Sequence, residues 1–321
     1  MTFKITILGL GQVGTSIGLA LAAHADKIER TGHDKNFVRA SKARELGALD
    51  KVELNLPRSV EQADLVILAL PIPAIKATLR SIAPDLRQNV VVADTSPIKG
   101  QITGWQADLE PGHHYIGLVP ALSPHHITDL ERPAHADLFR GGVMGIISPP
   151  GTPGTAVKLA ADLVALLGAE SFFMDLQESD NLMASAHLLP QLLSAALIHQ
   201  TVDGPGWPEM RRLAGRAYAA VSLPAASQDE PQALAQAALI NPAASLRALD
   251  AYLQTLTNLR TQIAAGDEAQ LTSTLSQAAE ARQRWWSERT AGNWLQIEAA
   301  GPKLPPKTGF LERLLGLGRQ K

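Results

Sequence analysis

Gly9-Leu10-Gly11-Gln12-Val13-Gly14, set directly after the apolar run Lys4-Ile5-Thr6-Ile7-Leu8, is the stretch of this chain best equipped for chemistry. G-x-G-x-x-G between a strand and a helix binds the phosphates of a dinucleotide through backbone alone. Gly9 permits the tight turn, Gly11 lets a pyrophosphate approach the chain, and Gly14 lets the following helix pack against the strand. The start of the following helix adds unpaired N–H groups and a positive dipole end, which makes Gln12 and Val13 of the turn cofactor-binding candidates as well. A second strand ends in Gly32-His33-Asp34. Asp34 lies about 20 residues past the last glycine, where a carboxylate meets the adenosine ribose hydroxyls and repels a 2′-phosphate. NAD is therefore the expected cofactor, with Lys35 and Arg39 near enough to leave NADP open.

Other side chains could work on a substrate. Ser96 stands in a polar turn, Asp94-Thr95-Ser96-Pro97-Ile98-Lys99-Gly100, that follows a strand at the cofactor edge. It is a candidate site residue or a turn-forming serine. His187 sits in an apolar helix, as a proton-handling group or a satisfied core histidine. The pairs His113-His114 and His125-His126 are further candidates or solvated loop histidines, and Arg211, Arg212 and Arg216 are carboxylate partners or a wet helix face. The histidines lack H-x-x-x-H spacing, no carboxylate cluster accompanies them, and there are no cysteines, so no metal site is expected.

The elements that must hold these groups are legible. Up to residue 150 strand-like runs alternate with helical stretches, the pattern of a doubly wound parallel α/β sheet of Rossmann type. A helix over Thr15 to Ala23 follows the glycine turn, and another, Arg39 to Leu46, ends at Gly47. Asp64 to Leu70 is nearly continuous in apolar residues, as a strand covered on both faces should be. Its carboxyl end borders the nicotinamide in such folds, which puts Leu70 and Pro71 beside the cofactor. Asn89 to Asp94, His114 to Val119 and Gly142 to Ile147 read as further strands.

Pro149-Pro150-Gly151-Thr152-Pro153-Gly154 punctuates the chain. Beyond it, residues 155–290 are rich in Ala, Leu and Gln with almost no strand-like alternation, which predicts an all-helical second domain over 151–300. Leu246, Leu249, Leu253, Leu256, Leu259 and Ile263 keep helical spacing, as a buried helix or as the seam of a homodimer. Residues 301–321 form a tail, read as a short docked helix or a loose end.

The 321 residues suffice for two cores. With 45% hydrophobic and 19% charged residues the chain is globular, and a net charge of −2 gives no pull toward nucleic acid or anionic membrane. The first strand begins almost at once, no apolar run approaches bilayer-spanning length, and cysteine is missing. The expectation is a cytoplasmic protein acting on a small-molecule substrate.

From Phe3 to about Trp286 the chain resembles the prephenate/arogenate dehydrogenases of tyrosine biosynthesis. The residues that carry this are Gly9 to Gly18, Glu45-Leu46-Gly47-Ala48-Leu49-Asp50, Ala63 to Pro71, and the Asp94 to Gly100 turn, similar to the family's D-x-x-S-x-K. Leu189 to Leu197 and Asn241-Pro242 sit in similar contexts. The resemblance implies a Rossmann domain, a dimerising helical domain, and oxidative decarboxylation: NAD(P)⁺ takes hydride from C4 of a cyclohexadienol ring while the C1 carboxylate leaves as CO₂. It also implies two histidines and an arginine at the substrate, and here the chain departs. Those positions fall on Val119, Leu188 and Tyr218, while Ser96 is matched to the family's serine. Ser96 and His187 near the hydroxyl, with Arg216 on a carboxylate, are the expected replacements. Two other readings stay open. One is a different dehydrogenase, such as a β-hydroxyacid enzyme using Lys158; the other is a cofactor-binding sensor or partner protein that has lost catalysis.

Overall fold

A computed structural model describes residues 2–129, 131–227 and 230–292. The chain forms two compact units, one running to Leu176 and resumed from Ser287, the other spanning Gln177–Trp286. The first contains one eight-stranded sheet: β1 (Phe3–Leu8), β2 (Ile28–His33), β3 (Lys51–Val52), β4 (Leu65–Leu68), β5 (Val91–Asp94), β6 (His114–Pro120), β7 (Val143–Ile147) and β8 (Glu170–Phe173). Their order is β3-β2-β1-β4-β5-β6-β7-β8. Every pairing is parallel except β6 with β7, where the chain turns back, so the expected parallel sheet is a mixed one. Helices α1 (Gln12–Leu21), α2 (Phe37–Glu45), α3 (Leu56–Val60), α4 (Ile72–Ile82), α5 (Ile102–Ala107) and α6 (Gly154–Leu166) complete the unit.

The expected break at 150 is corrected to Leu176. Helix α6 covers the sheet with Ala156, Ala160, Leu163 and Val164, and β8 pairs in parallel with β7, so both belong to the first core. The strand Glu-Ser-Phe-Phe leaves little mark on the sequence, because four edge residues show too little alternation to stand out from helical surroundings. The centre of the sheet was easier to see: all four residues of β4, Leu-Val-Ile-Leu, are buried.

One buried cation staples the rim of this sheet. Arg30 on β2 donates Nε and Nη2 to Asp50, at 3.1 and 2.6 Å, and Nη1 to the carbonyls of Gly18 and Gly47, both at 3.0 Å. Burial would raise the Asp50 pKa, but the bonds and charge of Arg30 outweigh it and hold the carboxyl below its ordinary value.

The second unit is helical: α7 (Leu176–Met183), α8 (Leu189–Val202), α9 (Trp207–Leu213), α10 (Arg216–Ser222), α11 (Pro224–Ser227), α12 (Pro231–Ile240), α13 (Pro242–Ala265) and α14 (Glu268–Ala291), whose last residues rejoin the first unit. A π-turn over Ala184–Leu188 joins α7 to α8. By length and composition the joined helix Leu176–Val202 could cross a membrane, which corrects the expectation that no apolar run reaches that length. Asn241 ties the unit together: its Nδ2 donates to buried Asp180 at 3.0 Å, and its Oδ1 caps α13 at Ala244 N, 3.2 Å. On α13, Leu246, Leu253, Leu256 and Ile263 are exposed in the single chain, while Leu249 and Leu259 are half-buried. The expected tail at 301–321 lies outside the described residues.

Candidate functional site

The glycine turn lies at the carboxyl ends of β1 and β4, where strand order reverses and open α/β sheets bind ligands. Gly9 has φ +91°, a left-handed backbone in which a side chain is strained. A Cβ on Gly14 would stand 1.9 Å from the Gly9 carbonyl, whereas a Cβ on Gly11 would meet nothing within 4 Å. Gly11 therefore leaves an open cradle in front of α1. That helix has no side-chain cap and no acid in its first turn, so its leading N–H groups face that cradle. These are the features a dinucleotide pyrophosphate needs, and the residues present fit one.

Asp34, just past β2, accepts from Leu10 N at 2.8 Å through Oδ2 and from Asn36 N at 2.7 Å through Oδ1. Each oxygen keeps a lone pair for a further donor, so the carboxylate both fixes the glycine turn and can take ribose hydroxyls. Leu70 packs on the turn: its Cδ2 would be 2.9 Å from a Cβ on Gly9. Pro71 starts α4 beside it. Gly9, Gly11, Gln12, Val13, Gly14, Asp34, Leu70 and Pro71 thus gather on one edge of the sheet.

Ser96 is placed differently from its expected role. It is 3% exposed, and its hydroxyl donates to Asp94 Oδ1, which also accepts from Ser96 N at 2.8 Å. Lys99, fully buried, donates Nζ to Asp94 Oδ1 at 2.6 Å and to the Asp94 carbonyl at 3.2 Å. In the pattern D-x-x-S-x-K the fourth place is held by Pro97, and Ser96 stands one residue earlier. The turn is thus an internal Asp–Ser–Lys knot, with Ser96 facing inward. Tyr115 lies near it; burial and then the Asp94 charge push its hydroxyl pKa well above the ordinary phenol value.

The other expected replacements lie in the second unit. His187, half-buried in the π-turn, accepts from Gln191 Nε2 at 3.2 Å through its own Nε2, and Gln191 also donates to the His187 carbonyl at 3.1 Å. Single π-turns inside α-helices are frequent at functional sites. Arg216 opens α10, exposed, with no hydrogen bond or ion pair among the described residues. The departures are settled parts of the packing: Val119 and Leu188 are buried, and the Tyr218 hydroxyl bonds Thr201 Oγ1 at 2.7 Å. Lys158 reaches Asp162 on its own helix at 2.6 and 2.8 Å, as a paired surface lysine does.

One expectation about the histidines is corrected. Carboxylates do accompany them: Asp129 and Asp137 flank His126, which stacks on His135. The signal in sequence was His126 and Asp129 at i, i+3, easily taken for a solvated loop.

Residues 17–173 match the nucleotide-binding domain of prephenate dehydrogenase, and residues 175–277 match the dimerization domain of prephenate dehydrogenase. A cyclohexadienyl dehydrogenase of Zymomonas mobilis is 27% identical over 283 residues, 87% of this chain and 94% of that protein. Among solved structures, prephenate dehydrogenase from Aquifex aeolicus, in complex with hydroxyphenyl propionate and NAD⁺, superposes with a TM-score of 0.77 at 20% identity, covering 88% of this chain and 98% of that one. Synechocystis arogenate dehydrogenase gives 0.68 at 24% identity, covering 88% and 100%.

Proposed function

Since the chain belongs to the prephenate dehydrogenase family, we propose that it oxidises a cyclohexadienyl acid, prephenate or arogenate, in the tyrosine branch of aromatic biosynthesis, using NAD. The observation that carries this is the dinucleotide cradle at the sheet's switch point, joined in one chain to the family's helical domain. We propose further a cytoplasmic homodimer paired through the second unit, a reading supported by the exposed leucines of α13 and the dimerization-domain match.

The bound cofactor supplies the hydride acceptor. The chain holds it: the N–H groups of α1 take the pyrophosphate, Asp34 the ribose hydroxyls, and Leu70 with Pro71 wall the turn. The knot of Asp94, Ser96 and Lys99 fixes the end of β5 rather than touching substrate. His187 exchanges the Gln191 donor at Nε2 for the C4 hydroxyl, whose O–H it then accepts, and Arg216 pairs a substrate carboxylate. As hydride leaves C4, the C1–carboxylate electron pair enters the ring and CO₂ departs.

The test is reduced-nicotinamide formation by the purified full chain with NAD⁺ or NADP⁺ and prephenate or arogenate. His187→Ala is expected to lower kcat about a hundredfold or more, and Arg216→Ala to raise KM for the acid about tenfold, roughly 1.4 kcal/mol. Unchanged turnover in both variants removes them from the site. A second reading is favoured by the apolar burial of Val119 and Leu188: a cofactor-binding protein without this activity. Cofactor binding with no turnover on either acid decides for it, and no cofactor binding sinks both.

Asp34 sets the cofactor preference. Asp34→Asn removes the charge that repels a 2′-phosphate, so the NADP⁺ to NAD⁺ affinity ratio is expected to rise about tenfold. An unmoved ratio in paired calorimetric titrations would show that selection lies elsewhere.

A further inference from the structure

Residues 121–129 and 131–142, between β6 and β7, meet the helix that opens the cofactor cradle. Two contacts tie them to α1, one helical turn apart. Gln12 Nε2 donates to the Pro133 carbonyl at 3.1 Å, and His135 N donates to Ser16 Oγ at 3.0 Å. Within the segment His126 is held between two carboxylates, its Nδ1 3.0 Å from Asp129 Oδ2 and its Nε2 2.9 Å from Asp137 Oδ1. Ionised carboxylates only accept hydrogen bonds, so both contacts are hydrogen bonds when both ring nitrogens carry protons, as in an imidazolium. The ring stacks on His135, with centroids 4.0 Å apart and planes at 17°, and Asp129 Oδ2 also lies 3.4 Å from His135 Nε2.

We propose that His126 is a positioning residue for the cofactor: clasped by Asp129 and Asp137, it sets the stretch with Pro133 and His135 against α1 and thereby fixes Gln12, the residue between Gly11 and Val13 of the phosphate turn. The inference rests on reading that turn as a dinucleotide site. Protonated, the ring makes two charge-assisted bonds. Deprotonated, one nitrogen presents a lone pair to a carboxylate, and the clasp opens.

Burial works against the charge on His126, but the bonds and charges of Asp129 and Asp137 outweigh it and raise its pKa above the ordinary histidine value. The hydrogen bond from His126 holds Asp137 below its ordinary value, against some burial. A raised histidine pKa means stabilisation complete below the unfolded-state value and lost as pH rises through the folded one; the lowered Asp137 loses its share as pH falls through its own. The clasp is therefore complete in mildly acidic solution and is lost as pH rises through the raised value of His126. Among the described residues the titratable groups that bond or stack in the clasp are Asp129, Asp137 and His135; α1 meets the segment through uncharged Gln12 and Ser16, and Arg289 of α14 donates to the Leu122 carbonyl, four residues before His126.

His126, His135 and Asp137 offer ligand atoms within 4.8 Å of one another. Near-parallel rings, however, aim their lone pairs side by side rather than at a common point, unlike tetrahedral metal ligands.

The experiment is NAD⁺ titration of the full chain by calorimetry from about pH 5.5 to about pH 9, with NMR titration of the His126 ring, which needs no cofactor. Wild-type affinity is expected to fall about tenfold toward alkaline pH. His126→Gln and Asp137→Asn are expected to flatten that profile and to raise KM for NAD⁺ more than they lower kcat. The ring is expected to titrate above the ordinary histidine value in wild type and to drop back in Asp137→Asn. An ordinary ring value, or wild-type affinity that does not vary with pH, overturns the proposal. So does zinc-dependent thermal stabilisation that His126→Gln abolishes, which would make the cluster a metal centre. NAD⁺ binding at no pH overturns the cofactor reading together with this one, whereas pH-independent binding overturns this one alone.

Discussion

Gly14→Ala is expected to weaken NAD⁺ binding at least about a hundredfold, roughly 2.7 kcal/mol, and to lower the melting temperature as well. The new Cβ would sit 1.9 Å from the Gly9 carbonyl and 3.1 Å from the Ala69 Cβ. The first of these is backbone of the turn itself, so no rotamer change relieves it. The turn must open, and with it the φ of +91° that Gly9 holds. Gly11→Ala is the informative partner. Its Cβ meets nothing within 4 Å, so the fold should tolerate it, yet the methyl projects where the phosphates approach. Calorimetry paired with thermal melts separates the two: Gly14→Ala should lose affinity and stability, Gly11→Ala affinity alone. Wild-type affinity in Gly11→Ala would mean the cradle does not hold the pyrophosphate.

Lys99→Met is expected to cost about 3–5 kcal/mol of folding stability, the penalty for stranding a buried charge. Lys99 and Asp94 are both 0% exposed, and Nζ lies 2.6 Å from Asp94 Oδ1. Methionine can occupy the channel of the lysine stem, which runs against Gly117, where an added Cβ would be 2.8 Å from Lys99 Cδ. The loss would therefore reflect the uncompensated carboxylate more than a void. Asp94→Asn with Lys99→Met removes both charges and should recover much of the difference. Urea unfolding of wild type, single and double variants measures it. A single variant within about 0.5 kcal/mol of wild type would mean the pair contributes little.

Sequence made the cofactor half legible because its chemistry is local. Three glycines at fixed spacing, an apolar strand before them and Asp34 after β2 state one backbone geometry within a single βαβ unit. β4 was clear because a strand covered on both faces is apolar without interruption. What escaped depends on contacts between distant residues. The edge strand β8 is recruited only by pairing with β7, so the break moved from 150 to Leu176. Whether Ser96 faces out or in is decided by the buried Asp94 and Lys99, and composition alone cannot rank those partners. The carboxylates on His126 come from three and eleven residues away. The π-turn at His187 leaves no mark on hydrophobic period, though Gln191 at i+4 was visible. On the substrate side no compact motif replaces the family residues, and His187 and Arg216 lie on separate helices.

The bare start of α1 bears on how long each copy of the protein lasts in a cell. A helix without its own cap leaves its leading N–H groups to whatever the surroundings offer. A nucleotide that answers them binds the folded chain and not the unfolded one. By mass action a hundredfold excess over Kd then adds about 2.7 kcal/mol to stability. Copies made while the nucleotide pool is depleted would open more often and be degraded sooner. Abundance would then follow the pool without any dedicated regulator.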